Sequence, residues 1–350
     1  MKTLNQRSVL FALLLVALAL GGCEHNISTG TTVHANGALD REIMLHNTDS
    51  AKADKNIMGI RGENGWEVTV GPPSRPSREK DKKSEVNISF KKHFSSAADA
   101  NREMDPDIDT VFRIKSSFEK HNRWFYTYIE YRDTYEALNL FKRIPKEEYF
   151  TKEDFAFIDR LPAEGTVITK ADSLYLARLN EKIFDFYGSR TIFEEFYQHL
   201  LTTVREHRVA PQWEDSLKRK KEIIYQRFLN EGNLKDEDFI AIVDEMNIPL
   251  PEAGREAIVR KTAEIEKRIE FLSEAYSGKY VHTIEMPWTV VESNADSVSM
   301  NQLFWRPPVV KFLLSDYTMS ARSRKMNLWA VGISALVVVV TVGLFFVRKK

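Results

Sequence analysis

The chain has 350 residues, with 50 Lys+Arg against 50 Asp+Glu, so its formal net charge is zero. Bulk electrostatic capture of nucleic acid needs a basic surface, so that balance argues against a nucleic-acid partner. A single cysteine, Cys23, excludes an intrachain disulfide and a cysteine-based zinc site, while an apolar share of 43% suffices for a sizeable core.

Met1 to Gly22 reads as a secretory signal peptide. Lys2 and Arg7 give a basic start, and Val9 to Leu20 is an apolar run too short for a comfortable span. It ends in Leu20-Gly21-Gly22-Cys23, which resembles the bacterial lipobox. In that motif small residues precede a cysteine that is lipidated and becomes the new first residue. Cys23 is therefore the expected lipidation site.

Residues 24–30 read as a short polar tether. Asn36-Gly37 then stands between two strand-like runs, Thr31 to Ala35 and Ala38 to Leu45. Asn-Gly is a strong hairpin signal, because both turn residues must take positive φ. His34 reads as a surface residue of this hairpin. Gly59, Gly62 and Gly65 lack the strand-before, helix-after context of a phosphate loop and read as a turn. Trp66 to Val70 and Glu85 to Phe94 alternate like strands, separated by a Pro- and Ser-rich loop over 71–84.

Asp105, Asp107 and Asp109 mimic the start of a calcium loop. Thr110 stands where its sharp-turn glycine belongs and Ser116 where its bidentate glutamate belongs, so capping and turn formation is the better reading. Thr110 to Lys120 and Arg123 to Tyr131 read as two long strands turning at Glu119 to Asn122. Trp124, Tyr126 and Tyr128 share one face of the second, with Phe125, Ile129 and Tyr131 on the other. With both faces apolar, the strand is expected to be central and covered on both sides. Plain core is the simpler reading of the Trp124, Tyr126 and Tyr128 face; the alternative is a candidate ligand or partner surface.

From about Pro145 the period becomes helical. Leu174, Leu179, Ile183, Phe193, Phe196, Leu200 and Val204 recur at helix spacing, with Gly188-Ser189 as an expected break. Pro211 opens another helix, a short one covers 236–246, and Ile258, Ile265, Ile269 and Leu272 form the inner stripe of the last. Strand character returns over 280–286, 289–292 and 297–305, and Val309 to Ser320 reads as the last extended run. Leu328 to Val347 is then uncharged and apolar, long enough to cross a hydrocarbon core of about 30 Å as a helix.

The expected fold is α+β: an antiparallel sheet built from N- and C-terminal segments, an inserted helical block and a C-terminal transmembrane helix. The expected organisation is a signal peptide over 1–22, a β-rich extracytoplasmic part over 23–145, a helical subdomain over 146–279, and a second β-rich part over 280–326. A membrane helix with a short basic cytoplasmic tail occupies 327–350. Arg322, Arg324 and Lys325 flank one end of the span and Arg348, Lys349 and Lys350 the other, so charge alone does not orient it. Lipidation at Cys23 does, placing the folded bulk on the extracytoplasmic, periplasmic side of the cytoplasmic membrane.

The lipobox, the Ala35-Asn36-Gly37 hairpin, the segment Val290-Val-Glu-Ser-Asn294-Ala-Asp296 leading to Trp305, and the final span together resemble a group of bacterial lipoproteins. The layout is similar to that of the LppM-like lipoproteins. That resemblance covers about the first 45 and last 70 residues. It implies an extracytoplasmic α+β domain that contacts lipids or other envelope partners, and it carries no catalytic residues with it.

No catalytic set emerges from the sequence. There is no G-x-S-x-G, no Walker-type loop, and the eight histidines show neither His-x-x-x-His nor His-Glu-x-x-His spacing. Neither metal ligands nor a cofactor are indicated. Glu147-Glu148 and Glu194-Glu195 are adjacent pairs pointing to different helix faces, unsuited to act as an acid–base couple. The expected function is a non-catalytic binding or interaction module, with membrane lipids, a lipid ligand or another envelope protein as partner. The alternative is an extracytoplasmic enzyme of unfamiliar type acting on envelope material.

Overall fold

A computed structural model describes residues 26–50, 56–73, 85–104, 110–231, 241 and 243–348. Outside these lie the expected signal peptide and Cys23, the aspartates at 105, 107 and 109, most of the 71–84 loop, most of the short helix expected over 236–246, and Lys349 and Lys350.

The chain is α+β, with two facing sheets and an inserted run of helices. The first hairpin joins β1 (Asn26–Val33) to β2 (Leu39–Asp49). Gly37 sits at φ +95°, with the Phe118 ring 3.2 Å from where a Cβ would stand. The expected tether is thus already strand from Asn26 onward, because Ile27 and Thr29 are buried at alternate positions. β3 (Glu67–Gly71) and β4 (Glu85–Phe94) complete the N-terminal part. A short helix α1 (Ala97–Glu103) follows, its first turn capped by the Ser96 side chain accepting from the Asp99 N–H.

β5 (Ile114–Asn122) and β6 (Tyr126–Tyr135) form the long hairpin. Its turn lies beyond the expected Glu119 to Asn122, because Asn122 is still paired with Thr127 and the Arg123 N–H closes onto the Tyr126 carbonyl at 2.9 Å. After the helices come β7 (Lys279–Glu285), β8 (Thr289–Ser293), β9 (Ser297–Ser299), β10 (Gln302–Trp305) and β11 (Tyr317–Met326). The expected strand over 297–305 is a tight hairpin, β9–β10, with Met300 at φ 57°. The extended run expected over 309–320 begins as a helical turn, Val310–Leu313, because Pro307 and Pro308 offer no N–H to a ladder.

Seven strands in the order β3-β4-β2-β1-β7-β10-β9 make the large sheet, and β5-β6-β11-β8 make the small one. Both sheets mix segments from the two ends of the chain. The joint in the large sheet is parallel: β1 pairs with β7 from Asn26–Lys279 to Thr32–Glu285. A single antiparallel sheet is therefore replaced by one mixed and one antiparallel sheet, packed face to face.

The helical insert comprises α2 (Lys152–Arg160), α3 (Lys170–Glu181), a π-wound turn over Lys182–Gly188, α4 (Ser189–Glu206), α5 (Pro211–Glu231) and α6 (Glu252–Tyr276). Gly188-Ser189 does not break the helix; the chain continues through it by widening to π geometry. Glycine suits position 188, since a Cβ there would lie 2.9 Å from the Ile183 carbonyl oxygen. α2 begins with a capping box, Thr151 and Asp154, and the Asp154 carboxylate also accepts from Tyr175 and Lys182, each at 2.7 Å. Ile158, Leu179, Ile183 and Tyr187 join the core of the sandwich. A second apolar cluster, including Phe193, Phe196, Leu200, Leu217, Ile224, Ile258 and Ile265, lies among α4, α5 and α6. The final helix, Leu328–Val347, has a mean hydropathy of 2.7 over its most apolar window and is long and apolar enough to cross a membrane.

Candidate membrane-proximal interface

β11 runs without a linker into the apolar helix, and Asn327 is the hinge point between them. Asn327 is 8% exposed and every hydrogen-bonding group of its side chain is used. Its Nδ2 donates to the Arg123 and Trp124 carbonyls at 2.7 and 3.2 Å, and its Oδ1 accepts from Thr127 Oγ1 at 2.9 Å. The Asn327 N–H donates to the Phe125 carbonyl at 2.8 Å. The β5–β6 turn is thus clamped to the base of the helix. The helix leaves the domain as a continuation of the small sheet and not on a flexible tether.

The same turn climbs along the helix. Trp124 Nε1 donates to Ser334 Oγ at 3.0 Å, and its ring meets Trp329 edge-on with centroids 5.3 Å apart. Ser334 lies about 9 Å along the helix axis from Leu328, at a rise of about 1.5 Å per residue. Trp124 and Phe125 nevertheless stay 52% and 46% exposed to whatever surrounds the helix. A large ring with its one polar group satisfied is the side chain that suits the boundary between hydrocarbon and headgroups.

Tyr126 and Tyr128 share the parity of Trp124 but lie behind it, on the outer face of the small sheet. β11 supplies their cover: Arg324 stands over Tyr126 at 4.5 Å and Arg322 over Tyr128 at 4.6 Å. Lys325 and Lys120 approach the Trp288 ring at 4.7 and 5.8 Å. β6 is central in its sheet, as its sequence implies, with Ile129, Tyr131 and Tyr135 facing the core. Its second face is covered by cations rather than by another apolar layer. The cationic charges and the tryptophans converge on the end of the domain from which the helix departs.

The most perturbed titratable groups lie elsewhere, between the sheets. Arg41 on β2, Asp133 and Tyr131 on β6 and His282 on β7 are each 1% exposed or less. Asp133 Oδ1 accepts from Arg41 Nη2 at 2.8 Å, Ser116 Oγ at 2.6 Å and Tyr131 Oη at 2.8 Å. Its Oδ2 accepts from Thr31 Oγ1 at 3.1 Å and faces His282 Nε2 at 2.9 Å, while Tyr135 Oη lies 3.1 Å from His282 Nδ1. This network assigns the His282 proton to Nε2.

Burial alone would raise the Asp133 carboxyl, but the Arg41 guanidinium and the bonds from His282 and Ser116 hold it well below the ordinary range. Burial drives His282 down despite the adjacent carboxylate, and drives the Tyr131 and Tyr135 phenols up. The cluster is therefore one ion pair with a neutral imidazole. Both the lowered carboxyl and the lowered imidazole add stability that is present above their unfolded values, about 4 and 6.5, and lost as pH falls. Sealed from solvent, these groups tie β2 and β7 of the large sheet to β5 and β6 of the small one.

None of these residues stands out in the sequence. Asn327 is one polar residue before an apolar run, and Arg41 and Asp133 sit at inward-facing strand positions where alternation alone predicts apolar side chains. Asp133 falls two residues after Tyr131 on the buried face, which is the one available signal that a carboxylate is enclosed.

In comparisons with known protein families and with curated proteins, the chain matches none. Among solved structures it is similar to the NMR structure of the folded domain of LppM from Mycobacterium tuberculosis, at 8% identity and a TM-score of 0.27. That alignment covers 87% of this chain and 94% of that one. So low a TM-score does not establish a shared fold, and nothing about function is drawn from it.

Proposed function

We propose that this protein is a membrane-anchored, extracytoplasmic binding module of the cell envelope. It is held by the Leu328–Val347 helix and by lipid on Cys23, with its folded bulk on the periplasmic side. The observation that carries the reading is the clamped junction: Asn327 fixes the domain to the helix, and Trp124 bonds to Ser334 partway along it. A tether needs no such joint. A surface that works against the bilayer does, because a rigid joint fixes which face meets the headgroups. In this reading Trp124 and Phe125 sit at the interface, and Arg123, Arg324 and Lys325 meet lipid phosphates or the acidic groups of an envelope neighbour. The enclosed polar cluster serves stability, so binding rather than catalysis is the role.

The test has two arms. Val167 is 96% exposed, and the Val167→Cys variant is treated with a membrane-impermeant thiol reagent on spheroplasts. Labelling of intact spheroplasts is expected, and labelling only after permeabilisation overturns the sidedness. In vesicles carrying brominated lipids, the full-length chain is expected to lose more tryptophan fluorescence than its Trp124→Phe variant. Equal quenching of the two overturns the interfacial position of Trp124.

A further inference from the structure

At the β1–β2 hairpin, on the solvent face of the large sheet, two imidazoles and a carboxylate converge. His34 is the residue after β1, Asp40 lies on β2 and His93 on β4. The register brings them together: Asp40 is the cross-strand partner of His93, and Thr32, two residues before His34, is the partner of Asp40 on the other side. His34 Nε2 lies 2.5 Å from Asp40 Oδ2, and His93 Nδ1 lies 2.6 Å from Asp40 Oδ1. The two imidazole rings are 6.2 Å apart and tilted by 57°, and the ligand atoms of all three side chains fall within 4.8 Å of one another.

The backbone that carries them is firmly set. The His34 N–H donates to the Ala38 carbonyl at 2.9 Å, and Asn36 Oδ1 accepts from the Ala38 N–H at 3.2 Å. An open groove of about 580 Å³, lined by Asp40, His93, Lys91 and Glu67 among others, runs beside the cluster.

We propose that His34, Asp40 and His93 form a binding site for a borderline divalent cation, zinc by preference. Two imidazole nitrogens and one carboxylate oxygen are the donor set that suits zinc, with the remaining position left to water or to an oxygen donor from the groove. A tetrahedral zinc with bonds of about 2.0–2.1 Å spaces its ligand atoms by roughly 3.3 Å. The contact of the ligating Asp40 oxygen with its own imidazole then opens by less than about 1 Å, and the other spacings, at most 4.8 Å, close by up to about 1.5 Å, within reach of exposed side chains. A second group, Glu119, His121 and Glu130, also converges. It offers one imidazole, and its Glu130 carboxylate is engaged by Arg132 and Arg322 at 3.4 and 3.2 Å. It therefore serves as the control.

The experiment uses the full-length chain in detergent, purified through a histidine-free tag and titrated with cobalt(II), then zinc(II). One cobalt per chain, with the intense visible bands of tetrahedral coordination displaced by stoichiometric zinc, is the expected result. His34→Ala and His93→Ala are each expected to weaken zinc binding by about tenfold or more, with His121→Ala unchanged. Zinc should also raise the melting temperature of the parent chain but not of His93→Ala. His93→Gln, which keeps a polar side chain at this exposed site, repeats the loss if His93→Ala melts early for other reasons. The proposal is overturned by absence of the cobalt bands, by binding that survives both His34→Ala and His93→Ala, or by an equal loss in His121→Ala.

Discussion

Between the sheets a guanidinium, a carboxylate and an imidazole sit sealed from water, whereas the cluster among α4, α5 and α6 is built on aromatic and aliphatic side chains. The carboxylate buried beside that cluster, Glu195, is tied to a partner that reaches water: Arg143, 41% exposed, at 2.5 Å. The difference follows from how each part is assembled. The helices are neighbours in sequence and bury continuous apolar stripes, so packing alone fixes them. The two sheets draw strands from residues hundreds of positions apart, and β1 meets β7 in parallel without a turn to set its register. A buried charge pair that meets in one arrangement gives a reason for one register to win over its neighbours.

The comparison breaks most sharply at Asp133. Asp133→Ala strands Arg41 without a counter-charge and is expected to destabilise the sandwich by about 3–5 kcal/mol. Thermal unfolding of the full chain in detergent measures it. The double variant Arg41→Met, Asp133→Leu is expected to recover the part due to the stranded charge but not all of the loss, because Thr31, Ser116 and His282 still lose their acceptor. If the double variant is as unstable as the single one, the pair is not the unit that matters.

The helical cluster offers the contrasting case. Leu200 is fully buried, and Leu200→Ala is expected to destabilise by about 3 kcal/mol through the cavity it leaves. No partner truncation should rescue it, since the loss is of packing and not of charge balance.

A smaller effect tests the π-wound turn that joins the two regions. Burial, with a contribution from nearby Glu181, pushes the Asp185 carboxyl up to about 6. The folded state thus holds a proton that the unfolded chain gives up from about pH 4 upward. The stability this supplies is full below about pH 4 and lost as pH rises through 6. Asp185→Asn is therefore expected to stabilise by about 1 kcal/mol at pH 7, discounted from the full shift because the carboxyl is partly exposed. The gain should shrink as pH is lowered toward 5. A constant difference across that range would show that charge is not the cause.

Local signals in the sequence located much of this architecture. The Asn36-Gly37 hairpin, β4, the helical period from Pro145 and the bounds of Leu328–Val347 are all written in short-range patterns of turn chemistry and periodicity. Trp124, Tyr126 and Tyr128 were legible as an aromatic set on one parity. Their different environments were not, because the Trp329 contact and the Arg322 and Arg324 covers come from more than 190 residues away.

By itself, then, the sequence determined the α+β class and a helix fit to cross a bilayer, since each depends on side chains within one or two turns or strands of each other. Only the tertiary structure decided that the sheet is two sheets with a parallel joint, that Arg41 and Asp133 meet in the interior, and that Asn327 joins the domain rigidly to the apolar helix. It also brought His34 and His93 onto one carboxylate. Contacts between distant segments are set by strand pairing, and pairing leaves no period in the chain for a reader of the sequence to find.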